Sequence, residues 1–185
     1  MFKKSLIIIS ILSTLLFQAC SNESEETSTE NLVSANEYVL TGLDNKQYIV
    51  KKEGNGFVLE GAEGKVVMFD IFATWCPPCR AEATHLSALV KKYKGKFIVI
   101  GITIEDNIKN EKLLAFAKEH NANYTLVNSS VNHKLSDAIV TELKLGERYP
   151  IPTMALYKDG KLINHYVGAT EEEFIDSDIK RALGI

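Results

Sequence analysis

The sequence predicts an α/β protein with a mixed central sheet and helices on its flanks. Strand-like and helix-like segments alternate from residue 65 to residue 145, which is typical of βαβ units with parallel strands. Two strand-like runs then surround Asp159-Gly160, a dipeptide that favours a tight hairpin. A third observation is the pair Cys76 and Cys79 at the first junction between a strand and a helix.

The amino end has the pattern of an export signal. Lys3 and Lys4 precede an apolar run from Leu6 to Phe17. A run of this length is shorter than the roughly 20 residues that span a bilayer as a helix, so it fits a cleaved signal better than a permanent anchor. We therefore expect residues 1–19 to be a signal peptide.

Cys20 resembles the lipidated cysteine of a bacterial lipobox, although Phe17 and Gln18 depart from the leucine and the small residue which that pattern prefers. The alternative is a spare thiol in a leader that is uncut or cut elsewhere. Residues 20–37 are polar and cannot offset their ordering entropy by burial. They are expected to be a lipidated tether outside the cytoplasm, in a bacterial cell envelope, leaving residues 38–185 as one domain.

The segments of this domain can be assigned in order. Residues 38–52 and 56–60 are β-prone runs around turns. Residues 65–73 form a nearly continuous apolar run, typical of a strand buried on both faces. The remaining expected elements are a helix at 82–93, a strand at 96–105, a helix at 110–120, a strand at 123–128, a helix at 133–145, the hairpin at 153–168 and a helix at 171–183.

Composition narrows the function classes. The chain has 185 residues and is 45% hydrophobic, enough for one ordinary core. Its net charge is −3, and no basic stripe with interleaved aromatic residues is present. Nucleic acid is therefore not an expected partner.

The two cysteines could hold half of a zinc site or form one disulfide. Zinc needs four ligands, and no further cysteine remains if Cys20 is acylated. The histidines are scattered and read as ordinary polar residues, so no metal is expected; they are His85, His120, His133 and His165. Peroxide reduction is disfavoured because Ala73 stands where a peroxidatic cysteine would have threonine.

A redox-active dithiol remains. A disulfide between Cys76 and Cys79 would close too small a loop to staple a domain, so their pairing must serve chemistry. At the start of a helix, unpaired backbone N–H groups and the helix dipole favour the thiolate of the first cysteine. A Cys-X-X-Cys pair near a βαβ pattern is typical of thioredoxin-like proteins.

The stretches MFDIFATWCPPCRAE, residues 68–82, and YPIPTMALYKDGKLINHYVG, residues 149–168, resemble thioredoxin-fold proteins. More narrowly, they resemble the TlpA/ResA-like extracytoplasmic reductases, including those that serve cytochrome c maturation. The resemblance implies a thioredoxin-like fold with a helix-and-strand insertion, which residues 106–128 can supply. It departs at Thr84, where the family usually has proline, so the first helix is expected to be less kinked.

The resemblance implies roles for four residues. Cys76, expected nearer the surface, would attack a partner's disulfide, and Cys79 would resolve the mixed disulfide. Asp70 matches an aspartate of thioredoxin; burial would raise its pKa and let it exchange a proton with Cys79. The alternative is an inert edge carboxylate. Glu82 matches a glutamate that tunes the cysteines, unless it merely lies on a solvated helix face.

Other residues would contact substrate. Trp75 is expected beside the disulfide, offering an aromatic contact to partners, with simple core packing as the alternative. Pro152 matches the family's cis-proline, and Ile151 and Thr153 beside it complete the predicted substrate-binding backbone. Pro150 is the competing candidate for the cis bond.

Pro77 and Pro78 separate the cysteines. They remove two N–H donors near the Cys76 sulfur, which should weaken thiolate stabilisation and make the pair more reducing. The alternative is that they only fix the turn.

These features imply a lipid-tethered enzyme that reduces disulfides of exported proteins, with apocytochrome c as a candidate substrate. It would need no bound cofactor and would draw electrons from a membrane thiol reductant. One alternative is a disulfide oxidase or isomerase of the envelope. Another is a lipoprotein that uses the fold only as a binding module, which would not need the cysteine pair, Asp70 and Pro152 together.

Overall fold

The structure, a computed structural model, describes residues 36–185. The predicted signal peptide, the lipidation site Cys20 and nearly all of the predicted tether lie outside the described residues. Within the described part of the chain, none of the helices combines the length and the apolar character needed to cross a bilayer.

A small antiparallel sheet precedes the cysteines, at the positions of the predicted β-prone runs. Its strands, in the order of pairing, are β1 (Glu37–Thr41), β2 (Gln47–Glu53) and β3 (Gly56–Leu59). The turn between β1 and β2 uses Asn45 at a φ of 60°, in the left-handed region that asparagine tolerates. The β-prone runs predicted around turns are thus confirmed, and they pair as antiparallel strands.

Five strands form the mixed central sheet, in the order β6-β5-β4-β7-β8. They are β4 (Val66–Phe72), β5 (Phe97–Thr103), β6 (Thr125–Val127), β7 (Thr153–Lys158) and β8 (Lys161–Val167). The first three run parallel to one another, while β7 is antiparallel to both β4 and β8. All seven residues of β4 are buried, as the continuous apolar run predicted.

In the part of the chain that the structure describes, four helices cover this sheet: α1 (Pro77–Lys92), α2 (Asn110–Glu119), α3 (Asn132–Glu142) and α4 (Glu172–Leu183). Residues of α1 and α4 pack with Val66 and Met68 of β4 on one face. Residues of α3 and of the small sheet pack with the alternate β4 residues, Val67 and Phe69, on the other. The result is the predicted thioredoxin-like arrangement of helices on both faces of a mixed sheet.

Two further predictions concern local structure. Residues 106–128, the predicted insertion, contain α2 and β6, and β6 is an edge strand of the sheet. The β7–β8 hairpin turns at Asp159 and Gly160 with φ values of 47° and 76°, the two positive φ angles of a type I′ turn. With Thr84 in place of proline, α1 is a single helix of 16 residues.

Candidate active site

The cysteine pair lies at the junction between β4 and α1. Cys76 is the N-cap of α1, and Pro77 and Pro78 occupy the first two helical positions. Proline is favoured there because its missing N–H would have no intrahelical acceptor anyway. The next N–H, that of Cys79, donates to the sulfur of Cys76 at 3.3 Å. The helix start therefore offers one backbone donor, at its third residue, to this sulfur.

Cys76 and Cys79 are joined by a disulfide. The expectation that Cys76 lies nearer the surface is wrong, since its residue exposure is 2% and that of Cys79 is 3%. Both pack in one cluster with Phe72 and Ala73 at the end of β4. What distinguishes the two sulfurs is instead the helix start, because Cys76 accepts the capping N–H.

The Ile151–Pro152 peptide bond is cis, so Pro152, and not Pro150, has the predicted conformation. The carbonyl oxygen of Ile151 lies 3.6 Å from the sulfur of Cys76. Two hydrogen bonds hold this loop: the Thr153 hydroxyl donates to the carbonyl of Pro150 at 2.6 Å, and the Gly168 N–H donates to that of Pro152 at 2.8 Å. The predicted substrate-binding segment thus lies directly against the disulfide.

Asp70 lies in the central strand β4, so it is not an edge carboxylate. Its exposure is 3%, and its position alternates with those of Val67 and Phe69 and so faces α1. The Tyr124 hydroxyl donates to Oδ2 at 3.2 Å, whereas Oδ1 has no hydrogen-bond partner among residues 36–185. Burial, and secondarily the charge of Glu82, raises the pKa of Asp70 to about 7, which the bond from Tyr124 partly opposes. An acid with this pKa can exchange protons near neutrality.

Glu82 is buried, with an exposure of 1%, so the solvated-face alternative is wrong. Its Oε2 accepts the N–H of Thr170 at 2.9 Å, and its Oε1 has no hydrogen-bond partner within the described residues. Burial raises its pKa above the usual value, while Thr170 and the nearby His85 lower it. Thr170 comes just before α4, and this loop removes the α1 surface around Glu82 from water. The negative charge of Glu82 helps to raise the pKa of Asp70.

Trp75 is 58% exposed, so core packing does not explain it. It stands immediately before Cys76, where an exposed aromatic ring can contact a partner. His85 was expected to be an ordinary polar residue, on the surface or with its hydrogen bonds satisfied; its Nδ1 is buried and has no hydrogen-bond partner among the described residues. Between residues 36 and 185, no three His, Cys, Asp or Glu side chains are arranged to hold a metal ion.

Two residues near the site had no place in the sequence-based prediction. Glu105 follows β5, and its carboxylate accepts the N–H of Thr74 at 2.6 Å and binds Lys112 at 2.6 Å. The signal for it is an acidic residue at the carboxyl end of a parallel strand, where functional groups collect. Tyr124, the partner of Asp70, lies 54 positions away in sequence, and no local pattern points to it.

Comparisons with known proteins agree with this geometry. The Redoxin family matches residues 33–183. The thiol-disulfide oxidoreductase ResA of Bacillus cereus is 26% identical over 157 residues, which cover 84% of this chain and 86% of that protein. The thioredoxin-like protein YneN of Bacillus subtilis is 34% identical over 70 residues, 37% of this chain and only 41% of that protein.

Among solved structures, a thiol:disulfide interchange protein of the thioredoxin family from Chlorobium tepidum has the same fold. Its TM-score is 0.64 at 24% identity, and the match covers 81% of this chain and 95% of that one. The closed disulfide at the start of α1, the adjacent cis-proline loop and these matches lead to one assignment. The chain belongs to the Redoxin family and is a thioredoxin-like thiol-disulfide oxidoreductase of the TlpA/ResA type.

Proposed function

We propose that this oxidoreductase works outside the cytoplasm, tethered to a bacterial membrane through lipidated Cys20, and that it reduces disulfides of exported proteins. The start of α1 supports reduction, as opposed to oxidation, as the direction of the reaction. Pro77 and Pro78 supply no N–H donors, and the donor that the structure gives to the sulfur of Cys76 is the N–H of Cys79. Weak stabilisation of the thiolate favours the disulfide, so the dithiol gives up its electrons readily.

The reaction starts from the dithiol. The Cys76 thiolate attacks one sulfur of a partner's disulfide, forming a mixed disulfide, and the partner's other sulfur leaves as a thiolate that takes up a proton. Cys79 passes its proton to the Asp70 carboxylate and attacks the sulfur of Cys76. The Cys76–Cys79 disulfide forms, the second partner sulfur leaves as a thiolate, and two electrons have passed to the partner.

The loop before β7 fits the binding step. The Ile151 carbonyl lies beside the sulfur of Cys76. The exposed Trp75 directly precedes Cys76 in the chain. An extended segment around the partner's disulfide could contact both. A partner with cysteines in an unfolded or extended segment suits this arrangement, and apocytochrome c is our candidate. A membrane thiol reductant would then return the enzyme to the dithiol form by a second exchange.

The reduction potential tests the direction. We expect it near the thioredoxin value of about −270 mV rather than the roughly −120 mV of a strong oxidant, because two of the helix-start donors are missing. The equilibrium between oxidised and reduced protein can be measured in glutathione or dithiothreitol buffers by thiol labelling.

A matched variant, Pro77→Gly, restores one N–H donor to the helix start. Its potential should move towards more oxidising values, since the thiolate of Cys76 gains a donor. A potential of the unaltered chain above about −180 mV would favour the oxidase or isomerase alternative.

The tether is tested separately. The sequence Phe-Gln-Ala-Cys at residues 17–20, together with the polar residues after it, leads us to expect that Cys20 carries a lipid and is the first residue of the mature protein. Mass spectrometry of the amino-terminal peptide from the native membrane should show an acylated Cys20, and a Cys20→Ser variant should lose that modification and leave the membrane fraction. An unmodified Cys20, or a mature terminus elsewhere, would contradict the tether without affecting the redox assignment.

A further inference from the structure

A glycine in β5 leaves room beside Asp70. Gly101 is the direct partner of Asp70 in the parallel pairing of β4 with β5. A Cβ atom at Gly101 would lie 3.0 Å from the Tyr124 ring and 2.6 Å from the side chain of Leu126, both closer than packed atoms normally approach. The absence of a side chain at this position therefore allows the Tyr124 ring to reach the buried carboxyl group.

Tyr124 joins this carboxyl group to the environment of the cysteines. Its ring packs against the cluster that contains Cys76 and Cys79, and its hydroxyl donates to Oδ2 of Asp70 at 3.2 Å. Burial, and secondarily the charge of Asp70, raises the pKa of the Tyr124 hydroxyl well above its usual value. The hydroxyl therefore keeps its proton near neutral pH and acts only as a donor to Asp70.

The two carboxyl oxygens of Asp70 differ as a result. Oδ2 is occupied by the hydroxyl of Tyr124, and Oδ1 is buried with no hydrogen-bond partner in the described part of the chain. A buried acceptor without a partner is costly, and such an atom is expected where a function requires it. Asp70 faces α1, the helix that carries Cys79 one turn from its start.

We propose that Tyr124 is a positioning residue for the thiol chemistry, whose hydroxyl holds Oδ2 of Asp70 and leaves Oδ1 to take the proton of Cys79. This inference rests on the proposed function, because it assigns Tyr124 a part in the step in which Cys79 is activated. Tyr124 itself lies outside both the Cys-X-X-Cys segment and the cis-proline loop.

Few ionisable groups face Asp70. Among the described residues, the groups that act on Asp70 are Glu82 of α1 and Tyr124 of the loop before β6, and His85 acts on Glu82 in turn. The neighbouring strands place Gly101 and Met154 opposite Asp70, and neither is charged. Removing the hydroxyl of Tyr124 while leaving Glu82 and His85 in place therefore isolates its effect on Asp70.

The test is a Tyr124→Phe variant of the full chain. In the oxidised protein, where the cysteines do not titrate, carbon NMR of the Asp70 carboxyl should show its titration moved upward by about one pH unit, because a donor to the charged form is lost. In the reduced protein, the pH limb for resolving a mixed disulfide through Cys79 should move upward too. Near pH 7 this step should slow about five-fold for a one-unit shift.

Tyr48→Phe is the matched control, since the Tyr48 hydroxyl also approaches an aspartate, the exposed Asp44, at 3.5 Å. In this control, neither the titration of Asp70 nor the pH limb for resolving the mixed disulfide should move. Unchanged Asp70 titration in Tyr124→Phe, or an unmoved pH limb, would overturn the proposal. If that variant does not fold, the ring carbon Cζ of Tyr124 in the unaltered protein gives the same test, since its signal must follow the ionisation of Asp70. Because the titrations need no substrate, a chain that fails to reduce disulfides would reject the proposed function but not the Asp70–Tyr124 coupling.

Discussion

Replacing Cys76 with serine is expected to abolish disulfide reduction, with a loss of at least about a thousand-fold, because the attacking thiolate is removed. Replacing Cys79 with serine should leave the first attack intact and stop the reaction at the mixed disulfide. The asymmetry follows from the helix start, where the sulfur of Cys76 caps α1 and accepts the N–H of Cys79. It does not follow from exposure, since both cysteines are buried.

Non-reducing mass spectrometry of each variant, mixed with an excess of a small disulfide, measures this directly. Cys79→Ser should carry the added half-disulfide on Cys76, and Cys76→Ser should remain mostly unmodified. The Cys76→Ser, Cys79→Ser double variant is the control for adduct formation elsewhere. Accumulation of the adduct on Cys79 would reverse the assignment. In the native cell, the same Cys79→Ser variant would hold its physiological partner as a stable mixed disulfide and so test apocytochrome c.

The fold could be predicted because its signals are local. The apolar run of β4 and the Asp159-Gly160 turn depend on side chains that are neighbours in sequence. The cysteine pair marked the start of α1 in the same way. Pro152 was assigned from a motif, and the cis bond agrees with that assignment.

The environment of the site could not be predicted, because it depends on contacts between distant segments. Glu82 has the spacing of an ordinary helix position, but the loop at Thr170 buries it. The burial of Cys76 likewise depends on the packing of the segment after β4, and its contact with Ile151 spans 75 positions. Tyr124 reaches Asp70 only because the neighbouring strand has Gly101 there, a combination of three segments that no single pattern contains.

Replacing Asp70 with asparagine is expected to stabilise the oxidised protein at alkaline pH. Burial raises the pKa of Asp70 to about 7 from 3.8, so between these values the folded chain keeps a proton that the unfolded chain has released. Stability therefore falls as pH rises from about 4 to 7 and stays low above it. Asparagine has a similar shape and can still accept from Tyr124, but it carries no charge.

The free energy of unfolding of Asp70→Asn should exceed that of the unaltered chain by about 4 kcal/mol at pH 8 and differ little at pH 4. Denaturant unfolding of both oxidised proteins across this range measures the difference. Asp44→Asn is the control, because Asp44 is exposed and its pKa is lowered, chiefly by the N–H of Lys46, so it should give no such gain. A difference independent of pH would mean that Asp70 is not a perturbed acid. If the gain appears while resolution of the mixed disulfide slows near neutral pH, the fold retains a destabilising carboxyl group because Cys79 needs it as a proton acceptor, a trade of stability for activity.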